Sequence, residues 1–291
     1  MDFMDRESYY RYAINSSFLL EKYSNWGIVP LLANEPLWLL INGILSSFLS
    51  PESTLRCLIF FPATIISWIV LIRYPKYFFW IMLFLMYPAI IKNHIIHLRQ
   101  GVAIAIFLIG WFCNNSVLRW IVYACTPFVH GSFLFICAIL FLSRMLTFIK
   151  FGYDLRSGIF LSISVGLGML FTWLVNLVGA RQGGYNDFSA IQVSGLGFIF
   201  WSLIFSLWLF QGKKFLRTYV FESGVLLIYL GTYWTITVSA RIFESGILLI
   251  LIAGLSLTGW RKQLFLTAFL MIFLSQWLIY MNRPGFGFIA S

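Results

Sequence analysis

Leu58-Ile59-Phe60-Phe61-Pro62-Ala63-Thr64-Ile65-Ile66-Ser67-Trp68-Ile69-Val70-Leu71-Ile72 contains no charged side chain. A helix of a soluble protein is apolar on one stripe and polar on the other. This run is apolar all round, which calls for a hydrocarbon solvent or a very large core. Comparable runs recur at 78–91 and 246–257. Across the 291 residues, 60% are hydrophobic and only 10% are charged, against about 25% charged in a typical soluble domain. The mean hydropathy of +0.88 agrees. No polar stretch reaches ~50 residues, the lower end of domain size, so a separate soluble catalytic domain has no room. A single integral membrane domain spanning 1–291 is expected.

Outward from that run, apolar spans are read at 36–50, 54–73, 76–92, 100–113, 117–147, 157–178, 193–212, 218–238, 242–259 and 263–281. An upright crossing needs about 20 apolar residues. The spans at 36–50 and 100–113 are shorter. The one at 117–147 is too long for one helix, and Pro127 and Gly131 near its middle predict two helices meeting near His130. The expected fold is all-α, a polytopic membrane helical bundle of about 9–11 helices, some short or re-entrant. Residues 1–35 are polar, carry Asp5, Glu7, Glu21 and Glu35, and read as a loop with one or two interfacial helices. The first residues, Met1-Asp2-Phe3-Met4-Asp5-Arg6-Glu7, do not form a cleavable signal, so insertion is expected from the internal helices.

The formal net charge is +10. The cations lie singly or in small groups between apolar runs, which suits loops held at a cytoplasmic face. No basic stripe interleaved with aromatics tracks a phosphate backbone, so nucleic acid is not an expected partner. Arg144, Lys150 and Arg156, then Lys213, Lys214 and Arg217, then Arg261 and Lys262 are separated by two crossings each and share a face. The opposite loops hold Arg181 with Asp187 and Arg241 with Glu244. The richer face is read as cytoplasmic, which puts His130 at the other face, with Lys92, His94, His97 and Arg99 beside it. Cys57, Cys113, Cys125 and Cys137 lie inside apolar runs without a CxxC and read as small packing residues.

Ionisable residues at membrane depth are costly and point to function by default. Two local patterns stand out. Asn93-His94-Ile95-Ile96-His97-Leu98-Arg99-Gln100-Gly101-Val102-Ala103 sets an Arg and a Gln at the mouth of an apolar helix. Pro127-Phe128-Val129-His130-Gly131-Ser132 sets a His at the start of another, after a short helical hairpin.

Together these patterns resemble the EpsG-like branch of the Wzy-type polysaccharide polymerases. That family shows an Asn-x-x-Arg-Gln-x-x-Ala stretch and then an aromatic-His-x-Ser stretch. In this chain the Asn is further from the Arg, and Val129 replaces a more usual aromatic. Asp5, Tyr9 and Glu35-Pro36-Leu37 resemble the family's upstream Asp, Tyr and Glu-Pro, and Arg241-Ile242-Phe243 resembles the Arg that opens a late helix. Relatives usually carry a membrane helix before the Asp, which reads here as a short N-terminus or a late start.

The resemblance implies a fold akin to the GT-C-like membrane glycosyltransferases. It implies an enzyme of the O-antigen polymerase kind, working in polysaccharide or lipopolysaccharide biosynthesis. Such an enzyme joins oligosaccharide repeat units carried on undecaprenyl diphosphate, as donor and acceptor, at the outer face of the bacterial cell inner membrane. No metal and no cofactor are implied, and a chain-length regulator has a place among the partners beside membrane lipid. His130, Arg99 and Glu35 become the catalytic candidates. Arg99, Arg241, Arg181 and Lys92 become the diphosphate binders, since guanidiniums hold such a leaving group and stabilise its developing charge. Asp5, Gln100 and Glu244 are supporting residues. His130 suits a base or orienting partner for the acceptor hydroxyl near neutral pH.

Each residue also has a plainer reading. Arg99 could snorkel at a helix end. His130 could be satisfied by a backbone carbonyl. Arg241 and Glu244 could form an i,i+3 pair, and Asp5 and Glu35 could be solvated acids. His94 and His97 have the spacing of a metal pair without a third ligand nearby. Other functions compete: a lipid-sugar ligase or O-acyltransferase, or a lipid-linked sugar flippase or transporter. Transporters of that kind usually show repeats in two halves, and no such symmetry is visible.

Overall fold

A computed structural model describes residues 5–178, 195–236 and 239–281, with the backbone alone for 170–178. Among these residues every regular element is helical. In chain order they are α1 (Arg6–Asn25), α2 (Ile28–Ala33), α3 (Pro36–Ser46), α4 (Pro51–Arg73), α5 (Phe78–Leu85), α6 (Pro88–Ile95), α7 (Leu98–Phe112), α8 (Ser116–Cys125), α9 (Phe133–Phe148), α10 (Tyr153–Val178), α11 (Leu196–Gln211), α12 (Lys213–Thr218), α13 (Val220–Thr232), α14 (Ser239–Gly254) and α15 (Gly259–Met281). They outnumber the apolar spans because several spans are broken and the polar N-terminal segment supplies two helices of its own.

The stretch 58–72 lies in α4. Ser50 caps that helix, its hydroxyl accepting the Ser53 N–H at 3.3 Å. Pro51 takes the first turn, where its missing N–H is no loss. Leu55, Leu58, Ile66 and Val70 are buried, while Phe60, Phe61, Trp68 and Ile72 face outward. An outward face that apolar suits lipid. α4 and α15, each 23 residues, are long and apolar enough to cross a membrane, and α5 with α6 would add a third span bent by 69°. The bend has a local cause. Pro88 disfavours helical geometry in the residue before it, and Tyr87 is extended there. With the shorter apolar helices α3, α7, α9, α11 and α13, the composition is that of an α-helical membrane bundle.

The chain packs as two compact units, Met1–Cys137 with Phe273–Ser291, and Ala138–Ile272. In the first, α7 is the core helix, buried through most of its length and packed on α4, α6 and α8, while α1 packs on α3 and α4. α7 has 15 residues, or about 22 Å, short of the ~30 Å hydrocarbon layer. α6 and α7 meet at a tight elbow. A Cβ on Gly101 would collide with the Asn93 carbonyl oxygen, so only glycine lets α7 lie that close. The long span at 117–147 divides as its proline predicts, into α8, a 3-10 turn at Thr126–Phe128 and α9. His130 lies between the turn and α9.

In the second unit, α10 packs on α13 and α13 on α14. α13 approaches α10 through glycines, with Gly224 against the Phe160 ring and Gly231 against Ser164. Small residues are the usual means of close helix packing where lipid removes the hydrophobic drive between helices.

Candidate functional site

Glu35 immediately precedes Pro36, the first residue of α3, and has φ 56° and ψ 59°. A non-glycine residue in this left-handed region costs about 1 kcal/mol or more. The carboxylate does not cap its own helix and reaches across to two other segments instead. Its Oε2 accepts a hydrogen bond from Arg99 Nη1 at 2.6 Å. Its Oε1 accepts the Gly131 backbone N–H at 2.9 Å and lies 3.1 Å from His130 Nδ1. One carboxylate thus ties the start of α3, the first turn of α7 and the turn before α9, all within the first unit.

The group is sheltered but not sealed. Side-chain exposure is 15% for Glu35, 19% for His130 and 33% for Arg99. Burial alone would push the Glu35 carboxyl up. The His130 hydrogen bond, the Arg99 and His130 charges and the Gly131 N–H outweigh it and hold the group at about 2. At neutral pH Glu35 is therefore ionised and can only accept hydrogen bonds. His130 must then present a protonated Nδ1 to it, which leaves Nε2 as the basic nitrogen of the neutral ring.

α1 forms a wall of this site. Tyr9 and Tyr12 stand three residues apart, on one face of the helix. The Arg99 guanidinium carbon lies 5.6 Å from the Tyr12 ring centre, within cation–π range. Tyr9 is buried. That burial pushes its phenol up, while the Arg99 charge and hydrogen bonding pull the other way. Trp38 is fully buried and packs T-shaped with Tyr9, ring centres 5.8 Å apart, and with Tyr12, 6.3 Å apart. Asp5, also left-handed at φ 66°, accepts the Tyr9 N–H through its carbonyl. Its Oδ2 lies 3.8 Å from His97 Nδ1.

Four buried polar atoms at the α6–α7 elbow have no hydrogen-bond partner among the described residues: Asn93 Nδ2 and Oδ1, His94 Nδ1 and Arg99 Nε. Buried polar groups are nearly always satisfied, so each such exception calls for an occupant or an explanation. Arg99 Nε matters most, because it belongs to a guanidinium already fixed by Glu35 and Tyr12.

The sequence candidates thus separate. Glu35 touches both Arg99 and His130, and Asp5 is bonded to Tyr9 of the same wall and lies 3.8 Å from His97. Gln100 is buried in the first turn of α7, and Lys92 is in α6 of the same unit. Arg241 is exposed and Glu244 half-buried in α14, in the second unit, where Glu244 lies near Tyr229. Arg181 lies outside the described residues. Sequence reasoning missed Tyr12, Trp38 and the Gly131 N–H. The i,i+3 tyrosines of α1 were a usable signal, whereas nothing in a sequence marks one backbone N–H.

Compared with known proteins, the chain matches no family model, no curated protein and no solved structure.

Proposed function

We propose that the protein is a metal-independent membrane glycosyltransferase, of GT-C-like architecture, that polymerises undecaprenyl-diphosphate-linked oligosaccharide repeat units into a surface polysaccharide. Its site would face the periplasm from the bacterial inner membrane. The observation that carries this reading is the Glu35 carboxylate, which joins Arg99 and His130 from the two family-like motifs.

The chemistry needs a base for the acceptor hydroxyl and a cation for the departing diphosphate. His130 Nε2 takes the proton of the acceptor sugar hydroxyl as that oxygen bonds to the donor sugar's anomeric carbon. The bond from that carbon to the diphosphate breaks, and its electron pair leaves with the phosphate oxygen. Glu35 holds the imidazole in the required tautomer and stabilises the imidazolium that forms, as a carboxylate does in any His–carboxylate pair. Arg99 commits Nη1 to Glu35 and keeps the buried Nε for an anionic oxygen. A charge-assisted bond of this kind gains strength as leaving-group charge develops. Tyr12 and Glu35 fix the guanidinium beforehand, so little reorganisation is needed.

The test is the surface glycan of a strain lacking the gene. A polymerase leaves single repeat units on the acceptor. Complete loss of the glycan would instead indicate a flippase or ligase, and full-length glycan lacking only its acyl groups would indicate an O-acyltransferase.

A further inference from the structure

We propose that the cleft between α1 and α3 is a subsite for one sugar unit of the saccharide, with Glu21 as the residue that reads its hydroxyls. The inference rests on the polymerase reading above and extends the same site. The cleft holds about 400 Å³, within the range of pockets that take small molecules. One wall is polar: Ser17, Glu21 and Ser24, set four and three residues apart on α1. The other is aliphatic: Leu39, Leu40 and Ile44 of α3. Gly43 lines it too. A Cβ there would come to 3.2 Å from Ser17 Oγ, so the glycine leaves room beside that hydroxyl.

Glu21 differs from the other described acids of the first unit. Glu7 pairs with Arg11, Glu52 with Arg56 and Glu35 with Arg99, and Asp5 lies near His97. Glu21 has neither an ion pair nor a side-chain hydrogen bond among the described residues. Its own helix offers no cation, since the residues three and four away are Ser17, Phe18, Ser24 and Asn25. The adjacent Lys22 lies over the Trp26 ring, 4.8 Å from its centre. The hydroxyls of Ser17 and Ser24 also have no partner among the described residues, whereas Ser16 donates to the Tyr12 carbonyl. Three polar side chains thus line one cleft with their hydrogen bonds uncommitted.

The two walls together select a sugar. A carboxylate accepts hydrogen bonds, and a serine hydroxyl both donates and accepts. A sugar ring supplies hydroxyl donors for Glu21 along its edge and C–H faces for the leucines and isoleucine opposite. A phosphate would be repelled by the carboxylate. An acyl chain would strand three polar groups. A hard cation takes six or so oxygen ligands from several directions, and here one of the two walls offers none.

The position suits a unit beyond the reacting one. α1 and α3 are the helices that set Tyr12 and Glu35 at the site. The Leu39 N–H bonds the Glu35 carbonyl at 3.2 Å, and Trp38, the chain neighbour of Leu39, packs on Tyr9 and Tyr12. From Glu35 to Gly43 the rise along α3 is about 12 Å. A saccharide whose end reaches His130 therefore has this cleft as its continuation.

The test uses the full chain in uncharged detergent and the oligosaccharide repeat unit freed from its lipid diphosphate, with binding read by saturation-transfer NMR. The free sugar lacks the group that Arg99 would hold, so the readout isolates the subsite. Wild type should bind it. Glu21→Gln should bind about tenfold more weakly or worse, the cost of losing a charged acceptor. Glu21 makes no bond that holds the fold, so this variant stays folded. Glu7→Gln, which removes a paired acid from the same helix, should bind as wild type does. Equal binding by wild type and Glu21→Gln, equal weakening in Glu7→Gln, or displacement of the sugar by phosphatidylcholine would each overturn the subsite. So would no binding by wild type, and if the deletion strain still displays single repeat units, that result leaves the polymerase reading standing.

Discussion

Glu35 Oε2 and Arg99 Nη1 meet at 2.6 Å across 64 residues of sequence. The other oxygen of the same carboxylate reaches His130 across 95 residues. An exposed ion pair contributes little to stability. Here the carboxylate is mostly buried, and its removal strands a guanidinium that has no other acidic partner among the described residues. Glu35→Gln keeps the size but sets an amide donor against either Arg99 or His130. The variant should unfold with a loss of about 1–3 kcal/mol, read by thermal denaturation, and should make no long polymer. Normal chain length in this variant would remove the carboxylate from the mechanism.

His130→Ala leaves Glu35 bonded to Arg99 and Gly131, so the protein should accumulate normally. If Nε2 is the base, transfer should fall by about 10²–10⁴-fold, measured with lipid-linked repeat units and purified protein. Arg99→Lys keeps the charge but loses the fork that spans Glu35 and the buried Nε position. It should behave like Arg99→Ala in polymer length, because lysine offers a point charge in place of a planar pair of donors. Wild-type polymer from Arg99→Lys would reduce Arg99 to a simple counter-ion.

The acid side of the stability profile should carry the Glu35 signature. Its carboxyl is held at about 2, below its ordinary 4.5, so the ionised form is favoured by the fold. The resulting stability is fully present above 4.5 and is lost as pH falls towards 2. Comparing wild type with Glu35→Gln cancels the other groups. The difference in unfolding midpoint should be flat above about pH 5 and should shrink steadily below 4. A difference that shrinks instead between pH 6 and 8 would mean that another group controls the pair.

The helical membrane class was legible because a run such as 58–72 has no polar face to give to water. The break at Pro127 was legible too, since proline removes a donor and restricts its predecessor. Glu35, Arg99 and His130 were legible as individual costly residues, yet their union through one carboxylate was not, because no local pattern encodes a contact 64 or 95 residues away. The left-handed backbone at Glu35 was equally hidden. Glutamate has no preference for it, and the tertiary contacts impose it. The division into two units was invisible for a related reason. In a chain apolar nearly throughout, hydropathy marks helices but not which helices pack together.

Tyr12 tests whether α1 belongs to the site or merely covers it. Phenylalanine keeps the ring against both Arg99 and Trp38, so Tyr12→Phe should retain most transfer activity. Tyr12→Leu keeps apolar bulk but removes the cation–π contact of about 0.5–1 kcal/mol. A fall in transfer of about two- to fivefold is expected, together with a weaker apparent affinity for the lipid diphosphate. Equal activity in the two variants would make Tyr12 a packing residue only.

Gly101 and Gly131 flank the same site and should respond oppositely to one added methyl. At Gly101 a Cβ would strike the Asn93 backbone oxygen, which cannot move aside as a flexible side chain can. Gly101→Ala should therefore pry the first turn of α7 from the end of α6 and shift Arg99 away from Glu35. Overpacking of this kind costs about 1–3 kcal/mol, and both yield and polymer should fall. At Gly131 the nearest atom to a new Cβ is Glu35 Oε1 at 3.8 Å, an ordinary contact, and the N–H that bonds Glu35 is kept. Gly131→Ala should fold and polymerise normally. A tolerated Gly101→Ala, judged by thermal unfolding and polymer length together, would mean that the elbow between α6 and α7 is looser than this geometry requires.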